Sequence, residues 1–290
     1  IPPQPPTDAA LLPNDSVPDT SIPESVNAHL DVPYATYESR TVLADIFVPA
    51  METAGGHPAV VVVHGGGWQN GDKAKFRALA IDLAKRGFVS AAIEYRLAND
   101  AHFPAAMHDC SAAVRFLRAS ADTYGIDPKK IAAIGGSAGG HLVGLMASGW
   151  NNPELHGAGG HPDESSQLQL AIVMAGPLQI ATGSVADRSL TAKDSNAVRW
   201  FGGTIKEHRE LYELADAHLQ ISANTCPIFF LTGEHDNPDR NQSSRDKLQE
   251  LNIPTGLLTY KDGKHGCWNR QPWFARMNDD IERLLREHLK

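Results

Sequence analysis

The sequence predicts an α/β protein in which a mostly parallel central sheet is flanked by helices. From Ala59 onward, short β-branched runs alternate with glycine-bearing loops and amphipathic stretches of helical length. Most of these runs are too apolar for a strand that has one solvent-exposed face. Such apolar strands are typical of parallel sheets that are covered by helices on both faces. With 290 residues, 42% apolar and 21% charged, the chain is large enough for one such core.

The first 33 residues are predicted to form an extended arm, and residues 34–290 the folded domain. The arm has too little periodic apolar sequence to pack, and its prolines favour polyproline conformations. These prolines include Pro2, Pro3, Pro5, Pro6, Pro13 and Pro18. Because the chain begins at Ile1 and such an arm fits the trimmed start of an exported protein, we expect a periplasmic or extracellular location.

Strands and helices alternate along the rest of the chain. Residues 37–48 alternate between apolar and polar side chains and indicate antiparallel edge strands ahead of the parallel ones. The predicted core strands are 59–64, 89–94, 131–135, 170–175, 228–232 and 256–260. The predicted helices are 75–86, 104–119, 138–148, 241–251 and 273–289.

One long segment, residues 176–224, interrupts this alternation. It contains helical pieces at 196–201 and 207–218 but no convincing strand. A long insertion between two core strands commonly forms a lid or a substrate wall. We therefore expect a cap at this position.

A candidate nucleophile, Ser137, lies in the sequence Gly135-Gly136-Ser137-Ala138-Gly139, directly after a predicted strand and directly before a predicted helix. A nucleophilic serine on a tight strand-to-helix turn needs small neighbours, because larger side chains would collide with adjacent elements. The helix that begins there also directs N–H groups toward developing negative charge. A glycine-rich turn or a phosphate loop would explain the letters alone, but the strand and helix favour the nucleophile.

A glycine run, His64-Gly65-Gly66-Gly67-Trp68, closes the first core strand. Successive glycines let backbone N–H groups approach a substrate carbonyl oxygen, as an oxyanion hole requires. We expect Gly66, Gly67 and Ala138 to provide these donors and His64 to anchor the loop. Trp68 either lines the substrate pocket or packs, and Trp68 and Trp268 are the candidate substrate contacts.

The partners of a serine nucleophile are expected in the order serine, acid, histidine, each after a later strand. Asp236 follows the strand 228–232 and is the candidate acid, while His265 follows the strand 256–260 and is the candidate base. His265 would accept the Ser137 proton and Asp236 would orient the imidazole. The alternatives for the acid are Glu234, Asp239 and Asp262.

Composition argues against several other classes. The net charge is −8 and no basic stripe is present, so nucleic acid is not an expected partner. The longest apolar run is far shorter than the ~20 residues of a membrane span, so no integral membrane contact is expected. His156 and His161 lack metal-ligand spacing, and Cys110, Cys226 and Cys267 form no CxxC pair, so no metal is predicted. The oligomeric state and the state of these cysteines stay open.

Taken together, these residues resemble the α/β-hydrolase superfamily and, within it, the HGGG-bearing esterases related to hormone-sensitive lipase. The blocks that narrow the resemblance to the acetyl-xylan and feruloyl esterase group are 64–73 (HGGGWQNGDK), 94–97 (EYRL), 103–106 (FPAA) and 124–128 (YGIDP). The resemblance implies a catalytic Ser137, Asp236 and His265, no metal and no organic cofactor. It also implies a small-molecule or carbohydrate ester as substrate, with acetyl or feruloyl groups removed.

Two positions depart from this family pattern. Gly136 stands where many relatives carry Glu before the serine, and Glu94 stands where Asp is frequent. The sequence also resembles kynurenine formamidase-like hydrolases, which share the glycine run and the tryptophan. A formamidase-like amidase, a general short-chain carboxylesterase and a non-catalytic binding module therefore remain alternatives.

Overall fold

A computed structural model describes residues 16–38 and 40–290. Within them, eight strands form one sheet in the order β1-β2-β4-β3-β5-β6-β7-β8. The strands are β1 Val26–Tyr37, β2 Arg40–Pro49, β3 His57–Val63, β4 Val89–Ile93, β5 Ile126–Gly136, β6 Leu170–Met174, β7 Ile228–Gly233 and β8 Thr255–Tyr260. β2 pairs antiparallel with β1 and β4, and all other pairs are parallel. The predicted fold class is confirmed.

The helices lie on both faces of this sheet. They are α1 Arg77–Lys85, α2 Ala105–Ala119, α3 Ala121–Tyr124, α4 Ala138–Gly149, α5 Pro153–His156, α6 Gly183–Thr191, α7 Asn196–Phe201, α8 Arg209–Ala215, α9 Ala217–Gln220, α10 Gln242–Glu250 and α11 Trp273–His288. None of the helices in the described residues is both long and apolar enough to cross a bilayer.

The valines of β3 explain why the core strands have no polar face. Val61 and Val63 pack into the apolar layer shared with α2 and α4, whereas Val60 and Val62 pack into the layer shared with α1 and α11. Because successive side chains of a strand point to opposite faces, a strand buried on both faces must be apolar at every position. The continuous apolar run in the sequence follows from this.

The predicted end of the amino-terminal arm is wrong. β1 starts at Val26 and pairs with β2, so the folded domain begins before residue 34. The register of β1 shifts between His29 and Val32, and Asp31 has a φ of 55°. Such a bulge interrupts the alternation by which a strand is recognised in the sequence. Of the predicted arm, residues 1–15 lie outside the described residues.

Residues 176–224 form four short helices and no strand, α6 to α9. The helix predicted at 207–218 is interrupted at Asp216, which accepts hydrogen bonds from the N–H groups of Ile180 and Ala181 and caps α9 through the N–H of Leu219. An aspartate that satisfies these donors ends one helix and starts the next. α6 was not predicted.

Parallel pairing brings the ends of four strands to one edge of the sheet. Ser137 follows β5, the glycine run follows β3, and the loops with Asp236 and His265 follow β7 and β8. In open α/β sheets, ligands bind outside the carboxyl ends of the strands. The candidate residues are therefore gathered where such a site is expected.

Candidate active site

Ser137 occupies a strained turn between β5 and α4. Its φ of 56° and ψ of −121° are rare for a residue with a side chain, and such conformations persist only where surrounding structure holds them. One such contact is the Ser137 N–H, which donates to the carbonyl of Met174 at the end of β6 over 2.8 Å. The strain is typical of a nucleophile turn that presents its hydroxyl outward.

The glycines beside Ser137 are required by close backbone contacts. A Cβ at Gly135 would lie 2.4 Å from the carbonyl oxygen of Gly139, and a Cβ at Gly139 would lie 2.2 Å from that of Val63. Both distances are far below a van der Waals contact. Strand β3, strand β5 and helix α4 can approach this closely only if these positions lack side chains.

Ser137, His265 and Asp236 form a continuous chain of hydrogen bonds. Ser137 Oγ lies 2.9 Å from His265 Nε2, and His265 Nδ1 lies 2.6 Å from Asp236 Oδ2. The Asp236 side chain is 6% exposed and that of His265 is 49% exposed. The imidazole thus faces solvent on one side and a buried carboxylate on the other, as a base that exchanges protons with a substrate requires.

The glycine run forms a tight loop next to Ser137. Gly66 and Gly67 have φ values of 140° and 62°, and a Cβ at Gly66 would lie 1.7 Å from the carbonyl oxygen of Asn70. A Cβ at Gly65 would lie 3.1 Å from that of Ser137, so the loop touches the nucleophile. In the described part of the chain, the N–H groups of Gly66 and Gly67 have no backbone partner. They are available to a bound ligand.

Two buried histidines support this loop without joining the hydrogen-bond chain. His64 stacks on Tyr95 with 4.3 Å between ring centroids, and the Tyr95 hydroxyl donates to the His64 carbonyl. His141 Nε2 donates to the carbonyl of Ala215, while its Nδ1 accepts from Trp68 Nε1. Burial lowers the pKa of each histidine to about 4. Both are therefore neutral in the folded protein near pH 7.

These two histidines predict a loss of stability in mild acid. In the unfolded chain both histidines bind a proton below a pKa of about 6.5, whereas in the folded protein they bind it only below about pH 4. The free energy of unfolding should therefore fall as the pH drops from 6.5 to 4, by about 1.4 kcal/mol per pH unit for each group. Urea unfolding between pH 7 and 4 measures this slope, and His141→Gln should make it shallower. An unchanged slope in that variant contradicts the assignment.

Trp68 and Trp268, the candidate substrate contacts, are both only 6% exposed. Trp68 stacks on Trp200 at 4.8 Å between centroids. Trp268 contacts the His265 ring edge to face at 5.2 Å. Because so little of either indole is exposed, contact with substrate is limited to a small part of each surface.

Trp268 also explains why a glycine precedes the nucleophile. A Cβ at Gly136 would lie 2.8 Å from Phe76 Cζ and 2.8 Å from Trp268 Cε2. The volume that a glutamate would fill at this position is occupied by two aromatic rings. The departure from the family pattern is thus compensated by residues distant in the sequence.

Gly136→Ala should lower both stability and activity. The new methyl group must displace Phe76 or Trp268, and overpacking of this kind costs about 1–3 kcal/mol. Because Trp268 supports His265, kcat should fall as well. Unfolding and kinetics of Gly136→Ala, Phe76→Leu and the double variant form a cycle in which Phe76→Leu should recover part of the loss. If the effects of the two single substitutions simply add in the double variant, the new methyl group does not collide with Phe76.

The alternative acids do not reach His265. Glu234 Oε2 accepts the Asp262 N–H over 2.9 Å, and no hydrogen bond joins Glu234, Asp239 or Asp262 to His265 within the described residues. Glu234, His235 and Asp262 place one ligand atom each within 4.8 Å of one another and could together hold a cation. Because exposed groups of this kind are common without an ion, we assign no metal there.

Three residues at the site were not predicted. Asn196 at the start of α7 lies against the glycine run, since a Cβ at Gly67 would be 2.1 Å from Asn196 Nδ2. Phe76 covers Gly136, and Arg240 donates to Asp236 Oδ1 over 3.0 Å. Of these three, only Arg240 could have been suspected from the sequence, because it is a basic residue four positions after the candidate acid.

The cysteines and remaining histidines lie outside the hydrogen-bond chain. Cys110, Cys226 and Cys267 are buried and free. Burial raises the pKa of Cys267 to about 12, so it is a protonated thiol near pH 7. His161 lies 6.1 Å from the Phe116 ring, centroid to centroid, and is not in the possible cation group.

Comparison with known proteins identifies relatives of this chain. A family model described as BD-FAE matches residues 44–251. The probable carboxylic ester hydrolase LipM of Mycobacterium tuberculosis is 27% identical over 226 residues, which cover 76% of this chain and 51% of LipM. The chain spans about half the length of the curated relatives it matches.

Solved structures share the fold at lower identity. A truncated carbohydrate esterase from gut microbiota superposes with a TM-score of 0.77 at 21% identity, covering 94% of this chain and 99% of that one. The propionate-bound esterase Est2 of Thermogutta terrifontis gives 0.72 at 23% identity, covering 93% and 96%. Because the BD-FAE model spans most of the sheet together with Ser137 and Asp236, the chain belongs to the BD-FAE family and has the α/β-hydrolase fold.

Proposed function

We propose that the protein hydrolyses carboxylic esters through an acyl-enzyme on Ser137. The observation that carries this proposal is the hydrogen-bond chain from Ser137 Oγ through His265 to Asp236, with lengths of 2.9 and 2.6 Å. It lies beside free N–H groups of a glycine loop, so a nucleophile, a base and an oxyanion site meet at one point. The similarity to LipM, a probable carboxylic ester hydrolase, supports the same reaction.

In this mechanism, His265 Nε2 takes the proton of Ser137 Oγ as the oxygen attacks the ester carbonyl. The negative charge that develops on the carbonyl oxygen is bound by the N–H groups of Gly66, Gly67 and Ala138. His265 then donates its proton to the leaving alcohol. A water molecule, deprotonated by His265, releases the acid and restores Ser137.

We further propose that the substrate is an acylated carbohydrate that carries acetyl or feruloyl groups. The structural relative from gut microbiota is described as a carbohydrate esterase. In this chain, Gln69 Nε2 donates to Asn196 Oδ1 over 3.0 Å, which places two amides beside the oxyanion loop. Amide side chains at such a place suit hydroxyl groups of an alcohol better than an aliphatic chain.

We also propose that residues 176–224 form one wall of the substrate site. α7 carries Asn196, which lies against Gly67, and Trp200, which stacks on Trp68. A wall packed in this way would determine which alcohols reach Ser137. Residues 176–224 would then act as the cap that the sequence predicts.

A hydrolysis panel tests the reaction and the substrate class separately. It compares 4-nitrophenyl esters from acetyl upward, methyl ferulate, acetylated xylo-oligosaccharides and N-formylkynurenine. We expect turnover of short esters and of acylated sugars. Turnover of esters without any sugar ester contradicts the substrate class, and turnover of N-formylkynurenine alone contradicts ester hydrolysis and favours the amidase alternative.

A further inference from the structure

Arg240 makes a second contact to the carboxylate that holds His265. Its Nη2 donates to Asp236 Oδ1 over 3.0 Å, while the other oxygen, Oδ2, lies 2.6 Å from His265 Nδ1. Both oxygens of Asp236 are thus engaged, each from a different side. In the described part of the chain, Arg240 and His265 are the two cationic or basic groups within salt-bridge distance of Asp236.

The same guanidinium also contacts the end of β6, whose last carbonyl accepts the N–H of Ser137. Arg240 Nη1 donates to the carbonyl of Ala175, the residue that follows β6. The preceding carbonyl, that of Met174, accepts the N–H of Ser137 over 2.8 Å. Two consecutive carbonyls of one chain segment therefore position Ser137 and, through Arg240, Asp236.

The residue after Arg240 strengthens this connection. Asn241 is buried, its Nδ2 donates to the carbonyl of Gly176 over 2.8 Å, and its Oδ1 accepts the N–H of Leu178 over 2.9 Å. The backbone of Arg240 is thus held beside the end of β6 independently of its own side chain. The side chain of Arg240 therefore extends toward Asp236 from a fixed backbone position.

We infer that Arg240 is a positioning residue that fixes the Asp236 carboxylate relative to Ser137, and hence the direction in which His265 points. This inference rests on the proposed function. A planar guanidinium bonds to the Asp236 carboxylate and to the Ala175 carbonyl at the same time, whereas the single ammonium group of a lysine would keep only the charge-assisted bond to the carboxylate. Without it, a carboxylate that is 6% exposed loses one of its charge-assisted hydrogen bonds and is free to rotate away from Nδ1.

The effect should appear in kcat and leave KM nearly unchanged, because Arg240 is directed toward Asp236 and Ala175, behind the imidazole. For Arg240→Gln we expect kcat with 4-nitrophenyl acetate to fall about 10- to 100-fold, the range for a lost hydrogen bond to a charged group. The rate at which a fluorophosphonate labels Ser137 should fall in parallel. Arg240→Lys should recover part of the loss, because it keeps the charge.

Two controls separate positioning from a general structural role. Arg286→Gln removes another ion pair in which the arginine lies four residues after its acid, to Glu282 over 2.8 Å on α11, and should leave kcat unchanged. Guanidinium chloride, at concentrations too low to unfold the protein, should restore part of the activity of Arg240→Ala. Free guanidinium can occupy the vacated position but cannot repair a misfolded loop.

Three outcomes overturn the inference. They are a kcat of Arg240→Gln within about twofold of wild type, an equal loss in Arg240→Lys, and a loss in Arg240→Ala that guanidinium leaves unchanged. If Arg240→Gln does not fold, the Arg240→Lys comparison and the guanidinium experiment still decide. A wild-type protein without ester turnover contradicts the proposed function instead, and the labelling rate of Ser137 then tests Arg240 by itself.

Discussion

Ser137→Ala is expected to lower kcat for ester hydrolysis about a millionfold, the loss seen when the nucleophile of a serine hydrolase is removed. The variant keeps the oxyanion loop and the Asp236–His265 pair, but no atom remains to form the acyl-enzyme. Turnover of 4-nitrophenyl acetate under initial-rate conditions measures the loss, and labelling by a fluorophosphonate should disappear with it. The variant should bind substrate nearly as wild type does, since Ser137 contributes little surface.

Ser148→Ala is the matched control for this substitution. Ser148 lies on the same helix, α4, where its hydroxyl oxygen is 2.9 Å from the carbonyl oxygen of Gly144 and 3.0 Å from that of Ala217, and donates its one hydrogen between them. Its replacement should cost about 1 kcal/mol of unfolding free energy and leave kcat unchanged. If Ser137→Ala retains turnover while Ser148→Ala loses it, Ser137 is not the nucleophile.

Asp236→Asn should have the second largest effect, about a 10⁴-fold fall in kcat, as the same exchange causes in serine proteases. In the native protein both carboxylate oxygens accept hydrogen bonds, one from Arg240 and one from His265 Nδ1. An asparagine offers one oxygen and one NH₂ group, so one of these two donors must face another donor. If Arg240 retains the oxygen, His265 is driven to the tautomer that cannot accept the Ser137 proton.

The other acids near the site provide the controls for this prediction. Glu234→Gln, Asp239→Asn and Asp262→Asn make the same change of charge on the same two loops without touching His265. Each should retain most of the wild-type kcat, measured on the same ester at the same pH. A loss in one of them that equals the loss in Asp236→Asn would move the role of the acid to that residue.

The site was predictable where its determinants are local in the chain. A serine on a strand-to-helix turn requires glycines within two positions on either side, and those glycines are visible in the sequence. Asp236 and His265 follow their strands directly, so the order of strands and loops was enough to select them. The antiparallel start of the sheet was less visible, because the bulge at Asp31 disrupts the alternation of β1.

By itself, the sequence determined the parallel sheet and the candidate Ser137, Asp236 and His265, because local patterning and spacing encode them. Only the tertiary structure decided that Phe76 and Trp268 fill the space beside Gly136, that Trp68 is buried against Trp200, and that Arg240 links Asp236 to the end of β6. These contacts join residues that belong to different helices, strands and loops. In the case of Arg240, the side chain reaches the end of β6. Such contacts depend on how helices and loops pack across the sheet, and packing leaves no periodic signal in one sequence.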